Sequence, residues 1–108
     1  MSVWYGVRDL ERARAFYTET LGFEELYRDA DGRWMRLGRN GAELALAESD
    51  EGTGAVLAVA VEDVKAEAAR LREAGVEVGV VLEIHGVLRL LDVFDPEGNR
   101  LQLTQDLA

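Results

Sequence analysis

Two similar stretches of the chain decide its fold. Ser2–Leu10 reads SVWYGVRDL and Val56–Val64 reads VLAVAVEDV. Each is a run of strand-forming residues that ends near an aspartate, and Asp9 and Asp63 lie 54 residues apart. An aspartate at a helix start accepts hydrogen bonds from the first free backbone N–H groups and favours the positive end of the helix dipole. The repeat therefore predicts two modules, each beginning with a strand and a helix.

Each predicted helix has one apolar face and a glycine at its end. Apolar residues recur at helical spacing in both segments, which indicates that both helices pack on a sheet. Gly22 and Gly75 suit the left-handed residue that closes a helix. The two apolar stripes are Leu10, Ala13, Phe16, Tyr17 and Leu21 in the first helix, and Val64, Ala68 and Leu71 in the second.

Strand-like segments follow both helices. They are Trp34–Leu37, Glu43–Leu46, Val76–Val81, Val87–Phe94 and Leu101–Thr104, with turns at Asp31-Gly32, Arg39-Asn40-Gly41 and Asp95–Asn99. A polar linker at residues 49–54 separates module one, residues 1–48, from module two, residues 55–106, within one domain of residues 1–108. Each module is thus expected to have the order strand, helix and three strands, which belongs to the α+β class.

The composition excludes several kinds of chemistry. The 108 residues are 48% hydrophobic and 31% charged, as in a soluble globular protein, and none is cysteine. Disulfides, thiolate nucleophiles and cysteine-ligated metals are therefore excluded. A net charge of −9 repels nucleic acid and anionic membranes. No apolar run approaches the ~20 residues of a membrane span, and no signal pattern is present, so we expect a cytoplasmic protein without nucleic-acid or membrane partners.

The sequence also resembles a known family. Val7–Tyr17, Leu21–Phe23 and Phe94–Leu103 are similar to motifs of the vicinal oxygen chelate superfamily, which includes glyoxalase I, bleomycin resistance proteins, fosfomycin resistance enzymes and extradiol dioxygenases. The resemblance covers about residues 2–105. It implies a glyoxalase/bleomycin-resistance-like fold in which two βαβββ modules form a cup-shaped mixed sheet. It also implies a homodimer, with a ligand or a metal inside the cup.

The resemblance identifies four positions at which metal-dependent members carry ligands. The expected histidines are replaced by Ser2 and Val56, Glu43 matches a glutamate ligand, and Gln102 replaces the second glutamate. Such a set is a poor site for zinc, iron or nickel, which need several imidazole or carboxylate donors. We therefore expect a cup without a metal or another cofactor. His85, which precedes a predicted strand, is interpreted as an ordinary loop histidine.

Strand alternation predicts which side chains line this cup. Residues two apart share a face, so Trp4 lies on the face of Ser2, whereas Tyr5 and Val7 pack beneath the helix. The wall is expected to be apolar and aromatic with a few polar groups, as in a small-molecule site. Alternatively, its aromatic residues belong to the core or to a dimer interface. The predicted ligand-binding residues are Trp4, Trp34, Arg36, Glu43, Leu90, Asp92, Phe94 and Gln102.

Three functions stay open at this point. The first, which we favour, is a metal-free binding protein that resembles bleomycin resistance proteins and sequesters a hydrophobic, aromatic or cationic compound, without catalytic residues. The second is a metal-dependent glyoxalase-like lyase or dioxygenase that uses Glu43. The third is a non-catalytic scaffold or regulatory subunit. The acidic charge and the replaced ligand positions favour the first function.

Overall fold

A computed structural model describes residues 2–49 and 56–107. The predicted linker lies outside the described residues except for Ser49. Module one comprises β1 (Ser2–Val7), α1 (Leu10–Ala15), a π-helical turn (Phe16–Thr20), β2 (Glu24–Arg28), β3 (Trp34–Arg39) and β4 (Ala42–Glu48). Its four strands form a sheet in the order β1-β4-β3-β2, with β1 parallel to β4 and the other pairs antiparallel.

Module two repeats this topology. It comprises β5 (Leu57–Ala60), α2 (Val64–Glu73), β6 (Leu82–Ile84), β7 (Leu88–Phe94) and β8 (Arg100–Asp106). The sheet order is β5-β8-β7-β6, again with one parallel pair, between β5 and β8. The predicted α+β class with two βαβββ modules is therefore confirmed.

The signals that begin and end the helices act as predicted. The Oδ1 atom of Asp9 accepts a hydrogen bond from the backbone N of Arg12 at 3.0 Å, and that of Asp63 accepts one from Ala66 at 3.0 Å. Beyond the helices, Gly22 and Gly75 have φ angles of 75° and 80°, a region that favours glycine. The apolar stripes of both helices lie in the core, with Phe16 only partly buried.

The predicted strand Val76–Val81 is wrong. The second strand of module two begins at Leu82, and the preceding segment makes only an isolated bridge between Val78 and Val93. Val76, Val78 and Val81 of this segment pack against the core, which explains the strand-like pattern without a regular ladder. β2 (Glu24–Arg28), in contrast, has no counterpart among the predicted strands, because all its residues are exposed at a sheet edge and lack a buried face.

The two modules hold each other through equivalent hairpin turns. The Nδ2 atom of Asn40, in the β3–β4 turn, donates to the carbonyl of Ala60 at 2.8 Å. The Nδ2 atom of Asn99, in the β7–β8 turn, donates to the carbonyl of Gly6 at 3.2 Å. Gly6 and Ala60 are equivalent positions of the repeat, 54 residues apart. Each module thus contacts the segment that leads into the helix of the other.

A buried polar cluster at the β7–β8 turn strengthens this contact. Asp95 is only 5% exposed and accepts a hydrogen bond from the Tyr17 hydroxyl of module one at 2.9 Å. It also accepts hydrogen bonds from the backbone N–H groups of Glu97 and Asn99. Burial and the neighbouring Asp95 charge raise the pKa of Tyr17, so its hydroxyl stays protonated and serves as a donor.

Candidate functional site

The helices cover one face of each sheet, and the opposite faces stay open. In β1, Tyr5 and Val7 are buried, whereas Trp4 is 48% exposed. In β3, Met35 and Leu37 are likewise buried, and the residues between them point the other way. The predicted alternation of these strands is confirmed. The open faces are the places where side chains are available to a ligand.

The open face of sheet one is aromatic. One row of paired residues crosses all four strands, from Tyr27 through Arg36 and Ala45 to Trp4. In the next row, Trp34 pairs with Ala47, which in turn pairs with Gly6. The small residues of β4 and β1 form a floor between larger side chains. We define the aromatic face as Trp4, Leu26, Tyr27, Trp34, Arg36, Glu43, Ala45 and Ala47.

Side chains of β2 and β3 form a connected cluster on this face. The rings of Tyr27 and Trp34 lie 5.1 Å apart between centroids, at an interplanar angle of 43°. The guanidinium carbon of Arg36 lies 6.0 Å from the Tyr27 ring centroid, which is a cation–π distance. On its other side, Arg36 Nε lies 3.9 Å from Glu43 Oε1. The guanidinium group is therefore placed between an aromatic ring and a carboxylate.

Two members of the aromatic face, Leu26 and Tyr27, are not among the predicted site residues. A register shift between Glu25 and Tyr27 marks an irregularity in β2. Gly38 of β3 makes room for Leu26, because a Cβ atom at this glycine would lie 2.9 Å from Leu26 Cδ1. A bulge breaks the alternation of side chains from which the faces of a strand are predicted. The one sequence signal of this segment is that Leu26 and Tyr27 form an apolar pair between charged residues.

The open face of sheet two is more aliphatic and carries Asp92. Leu90 pairs with Leu82 on the edge strand, and Asp92 pairs with Gln102, which pairs with Ala58. The Nε2 atom of Gln102 donates to Asp92 Oδ1 at 3.2 Å. Arg100 Nη1 lies 3.4 Å from the other carboxylate oxygen of Asp92. This carboxylate therefore already has two partners within the module.

Phe94 occupies a different position from the other predicted site residues. It ends β7, where it pairs with Arg100, and it is half-buried. It also borders a cleft of about 350 Å³ near the π-helical turn, together with Phe16 and Pro96. The structure thus brings Trp4, Trp34, Arg36 and Glu43 together on sheet one. It brings Leu90, Asp92 and Gln102 together on sheet two, with Phe94 at the end of the strand.

The positions that hold a metal in related proteins do not form a metal site here. Within residues 2–49 and 56–107, no group of three or more histidine, cysteine, aspartate or glutamate residues is placed to hold a metal. Glu43 faces the guanidinium group of Arg36, and Val56 has no donor atom. Gln102 donates its amide N–H to Asp92. These donors do not fit a transition metal.

The other two positions considered for metal binding change nothing in this assignment. The backbone of Ser2 lies in register with Glu43 of β4. His85 is exposed in the turn between β6 and β7, with a φ angle of 51°. Its place is that of a solvated turn residue.

The fold and its open sheet faces define a class of protein: two βαβββ modules, each offering one uncovered sheet face. The chain belongs to the Glyoxalase/Bleomycin resistance protein/Dioxygenase superfamily, whose family model matches residues 2–103. The resemblance stated from the sequence motifs is therefore confirmed. Within the part of the chain that the structure describes, no helix is long and apolar enough to cross a membrane.

Several solved structures share this fold over nearly the whole chain. The antibiotic binding protein TnmS3 from Streptomyces sp. CB03234 is 33% identical, with a TM-score of 0.80 over 98% of this chain and 92% of that one. A glyoxalase/bleomycin resistance protein from the same organism is 32% identical, with a TM-score of 0.80 over 96% and 97%.

A third similar structure comes from the mobile metagenome of the Halifax Harbour sewage outfall. This integron cassette protein, HFX_CASS4, is 29% identical, with a TM-score of 0.84 over 97% of this chain and 96% of that one. No curated protein matches the chain. The similar structures thus include an antibiotic binding protein, a protein described by its superfamily and an integron cassette protein.

Proposed function

We propose that this protein binds a small molecule without a catalytic metal and sequesters a hydrophobic, aromatic or cationic compound against its aromatic face. The observation that carries the proposal is the uncovered ring cluster. Trp4, Tyr27 and Trp34 are 48%, 47% and 36% exposed, on one face of one sheet. Clustered exposed apolar side chains mark binding surfaces, and rings add directional stacking to area burial.

The similarity to TnmS3 supports the same proposal. That protein is an antibiotic binding protein, and it is 33% identical over 98% of this chain. By this analogy we propose a role in antibiotic resistance by sequestration. The lyase or dioxygenase alternative would use Glu43 as a ligand or base, but Glu43 faces Arg36 instead. The cytoplasmic location expected from the sequence stays a prediction.

We further propose that two copies of the chain form a homodimer that completes the cup. Large apolar side chains remain exposed on both sheets, including Trp4 on the first and Leu82 and Ile84 on the second, at 48%, 53% and 42%. A second copy would place an open face of one module opposite that of the other, with the ligand between the two faces. Light scattering at micromolar concentration tests this: the mass of two chains is expected, and the mass of one chain would contradict it.

A fluorescence screen tests the binding function. The only two tryptophans of the chain, Trp4 and Trp34, both belong to the aromatic face, so intrinsic emission reports on this face. We expect planar aromatic compounds to change the emission at micromolar concentration. Replacing Tyr27 by alanine should weaken binding at least 5-fold, on the order of 1 kcal/mol of stacking.

The matched control is Val80→Ala, which removes an exposed apolar side chain, 69% accessible, outside the aromatic face. This variant should bind as the unmodified protein does. A chemically diverse screen without any tryptophan response would overturn the proposed function. A hit that is equally weakened by Val80→Ala and Tyr27→Ala would move the site away from the aromatic face.

A further inference from the structure

The carboxylates of the two open faces are already paired with cations or donors of the same chain. Glu43 lies 3.9 Å from Arg36, and Asp92 lies 3.4 Å from Arg100 and accepts a hydrogen bond from Gln102. A cationic ligand would therefore have to compete with these groups for each carboxylate. The charge of the faces alone does not select a cation.

Arg36, in contrast, presents unused hydrogen-bond donors to the open face. Its side chain is 50% exposed, and its ion pair with Glu43 runs through Nε at the outer limit of such a contact. A guanidinium group has five N–H donors in one plane, which suits planar oxygen acceptors. Stacking over Tyr27 restricts its orientation without consuming these donors.

The open face beside Arg36 carries small residues. In the row that crosses the sheet, Ala45 separates Arg36 from Trp4. Because neighbouring strands lie about 4.8 Å apart, the backbones that carry these two large side chains are roughly 10 Å apart. Ala47 and Gly6 continue this floor in the next row, below Trp34. We call this row of small residues, with Trp4 on one side and Arg36 on the other, the trough.

We propose that this trough selects a planar aromatic compound that carries an oxygen acceptor at its edge, such as a carboxylate or phenolate, and disfavours aromatic cations. This specificity rests on the proposed binding function and names the class of its ligand. The ring lies between the Trp4 indole and the Tyr27–Trp34 cluster, and Arg36 donates to the edge oxygen. Arg36 is thus the specificity-determining residue of the site.

The net charge of −9 does not prevent this selection. At 0.15 M salt the Debye length is about 8 Å, so exposed charges farther away are largely screened. The charged groups at the trough are Arg36, beside the ring cluster, and its partner Glu43 at 3.9 Å. Local donors therefore decide the preference at physiological ionic strength.

Two probes with the same ring test the inference by calorimetry at pH 7 in 0.15 M salt. They are 2-naphthoate and 2-naphthylmethylammonium, with tryptophan emission as a second readout. We expect 2-naphthoate to bind at least 5-fold more tightly than the cation. Arg36→Gln should reduce the affinity for 2-naphthoate at least 5-fold and leave the affinity for the cation equal or higher.

Matched variants separate local from general charge effects. Arg33→Gln changes the net charge by the same amount in the exposed loop before β3, and it should change neither affinity. Glu43→Gln should tighten 2-naphthoate binding about 2-fold, because it removes the carboxylate that competes for Arg36. Glu48→Gln, at the exposed end of β4, is its control and should have no effect.

The outcomes distinguish this inference from the proposed function. Tighter binding of the cation, or a preference that survives Arg36→Gln, would overturn the ligand class and leave the binding function standing. A loss of the dimer mass in Arg36→Gln would assign Arg36 to the subunit interface and also overturn the inference. No response of calorimetry or emission to either probe, or to neutral 2-naphthylmethanol, would overturn the ligand class, and the proposed function falls with it when the chemically diverse screen also gives no tryptophan response.

Discussion

The two modules share one topology but differ in what they expose. Sheet one carries three aromatic side chains and Arg36 on its open face, whereas sheet two carries aliphatic side chains around Leu90 and the paired carboxylate of Asp92. The buried positions are alike in kind, since both modules place aliphatic strand residues beneath a helix. The sheet face that packs against the helix is therefore mainly aliphatic in both modules. The open sheet face does not pack on a helix, and its residues differ between the modules.

The turns that join the modules differ in the same way. Module two contributes a buried acid, Asp95, to a cluster around Tyr17. Module one contributes Arg39, which donates to the Glu67 carboxylate of α2 and to the carbonyl of Leu21. One junction is thus buried and built on a carboxylate, and the other is an ion pair nearer the surface. We expect substitutions at the two junctions to lower the free energy of unfolding by different amounts and with a different dependence on pH.

The largest effect is expected for Asp95→Ala. This substitution leaves the Tyr17 hydroxyl and the backbone N–H groups of Glu97 and Asn99 without their acceptor. Buried donors without partners cost about 1–3 kcal/mol each, so a loss of roughly 3 kcal/mol in the free energy of unfolding is expected. Urea unfolding measures it. Asp95→Asn keeps one acceptor oxygen and should lose less, and equal losses would assign the effect to charge rather than to hydrogen bonding.

A smaller effect is expected at the other junction. Glu67→Gln weakens its contacts with Arg39 and Arg70, and the free energy of unfolding at pH 7 should fall by about 1–2 kcal/mol. Glu77→Gln, in the exposed loop after α2, is the control and should be neutral. A loss as large as that of Asp95→Ala would mean that the two junctions are equivalent.

The pH dependence sharpens this second comparison. Burial acts to raise the pKa of Glu67, but hydrogen bonds from Arg39 and Arg70 outweigh it and lower the pKa below its ordinary value of 4.5. Because the pKa of Glu67 is lower in the folded state, its ionised carboxylate stabilises the fold at every pH above the pKa of the unfolded state. This contribution is lost as the pH falls through the pKa of the folded state. The difference between the unmodified protein and Glu67→Gln should therefore be constant above about pH 5 and shrink below pH 4.5. Urea unfolding between pH 3 and pH 7 measures it, and a difference independent of pH would contradict this assignment.

The smallest effect concerns the helix caps. Asp63→Ala should cost about 1 kcal/mol, since it removes the charged acceptor at the start of α2 and leaves only the neutral Gln105 Oε1, which accepts from the backbone N of Val64. Asp9→Ala should cost roughly half as much, because the Glu97 carboxylate of module two also accepts hydrogen bonds from the N–H groups of Arg8 and Asp9 and places a negative charge at the start of α1. Thermal unfolding of both variants tests this, and equal shifts in Tm would show that Glu97 contributes nothing to the cap.

Sequence patterns predicted the repeated elements where local chemistry decides them. The aspartate caps, the closing glycines and the alternation of β1 and β3 follow from interactions over a few residues. β2 and the segment before β6 were not predictable in this way. β2 is an edge strand without a buried face, and Val76, Val78 and Val81 pack on the core without a regular ladder.

By itself the sequence determined the superfamily, the two modules and the burial alternation of β1 and β3, because the motifs and the alternation of side chains along a strand are properties of the local chain. Only the tertiary structure decided that Tyr27 joins Trp34, since an irregularity in β2 sets that register. It also decided that Glu43 and Asp92 have partners, Arg36 in one case and Arg100 in the other. The physical reason is that the partner of a charge depends on which strands pair and in which register, and pairing is decided by the packing of the whole sheet.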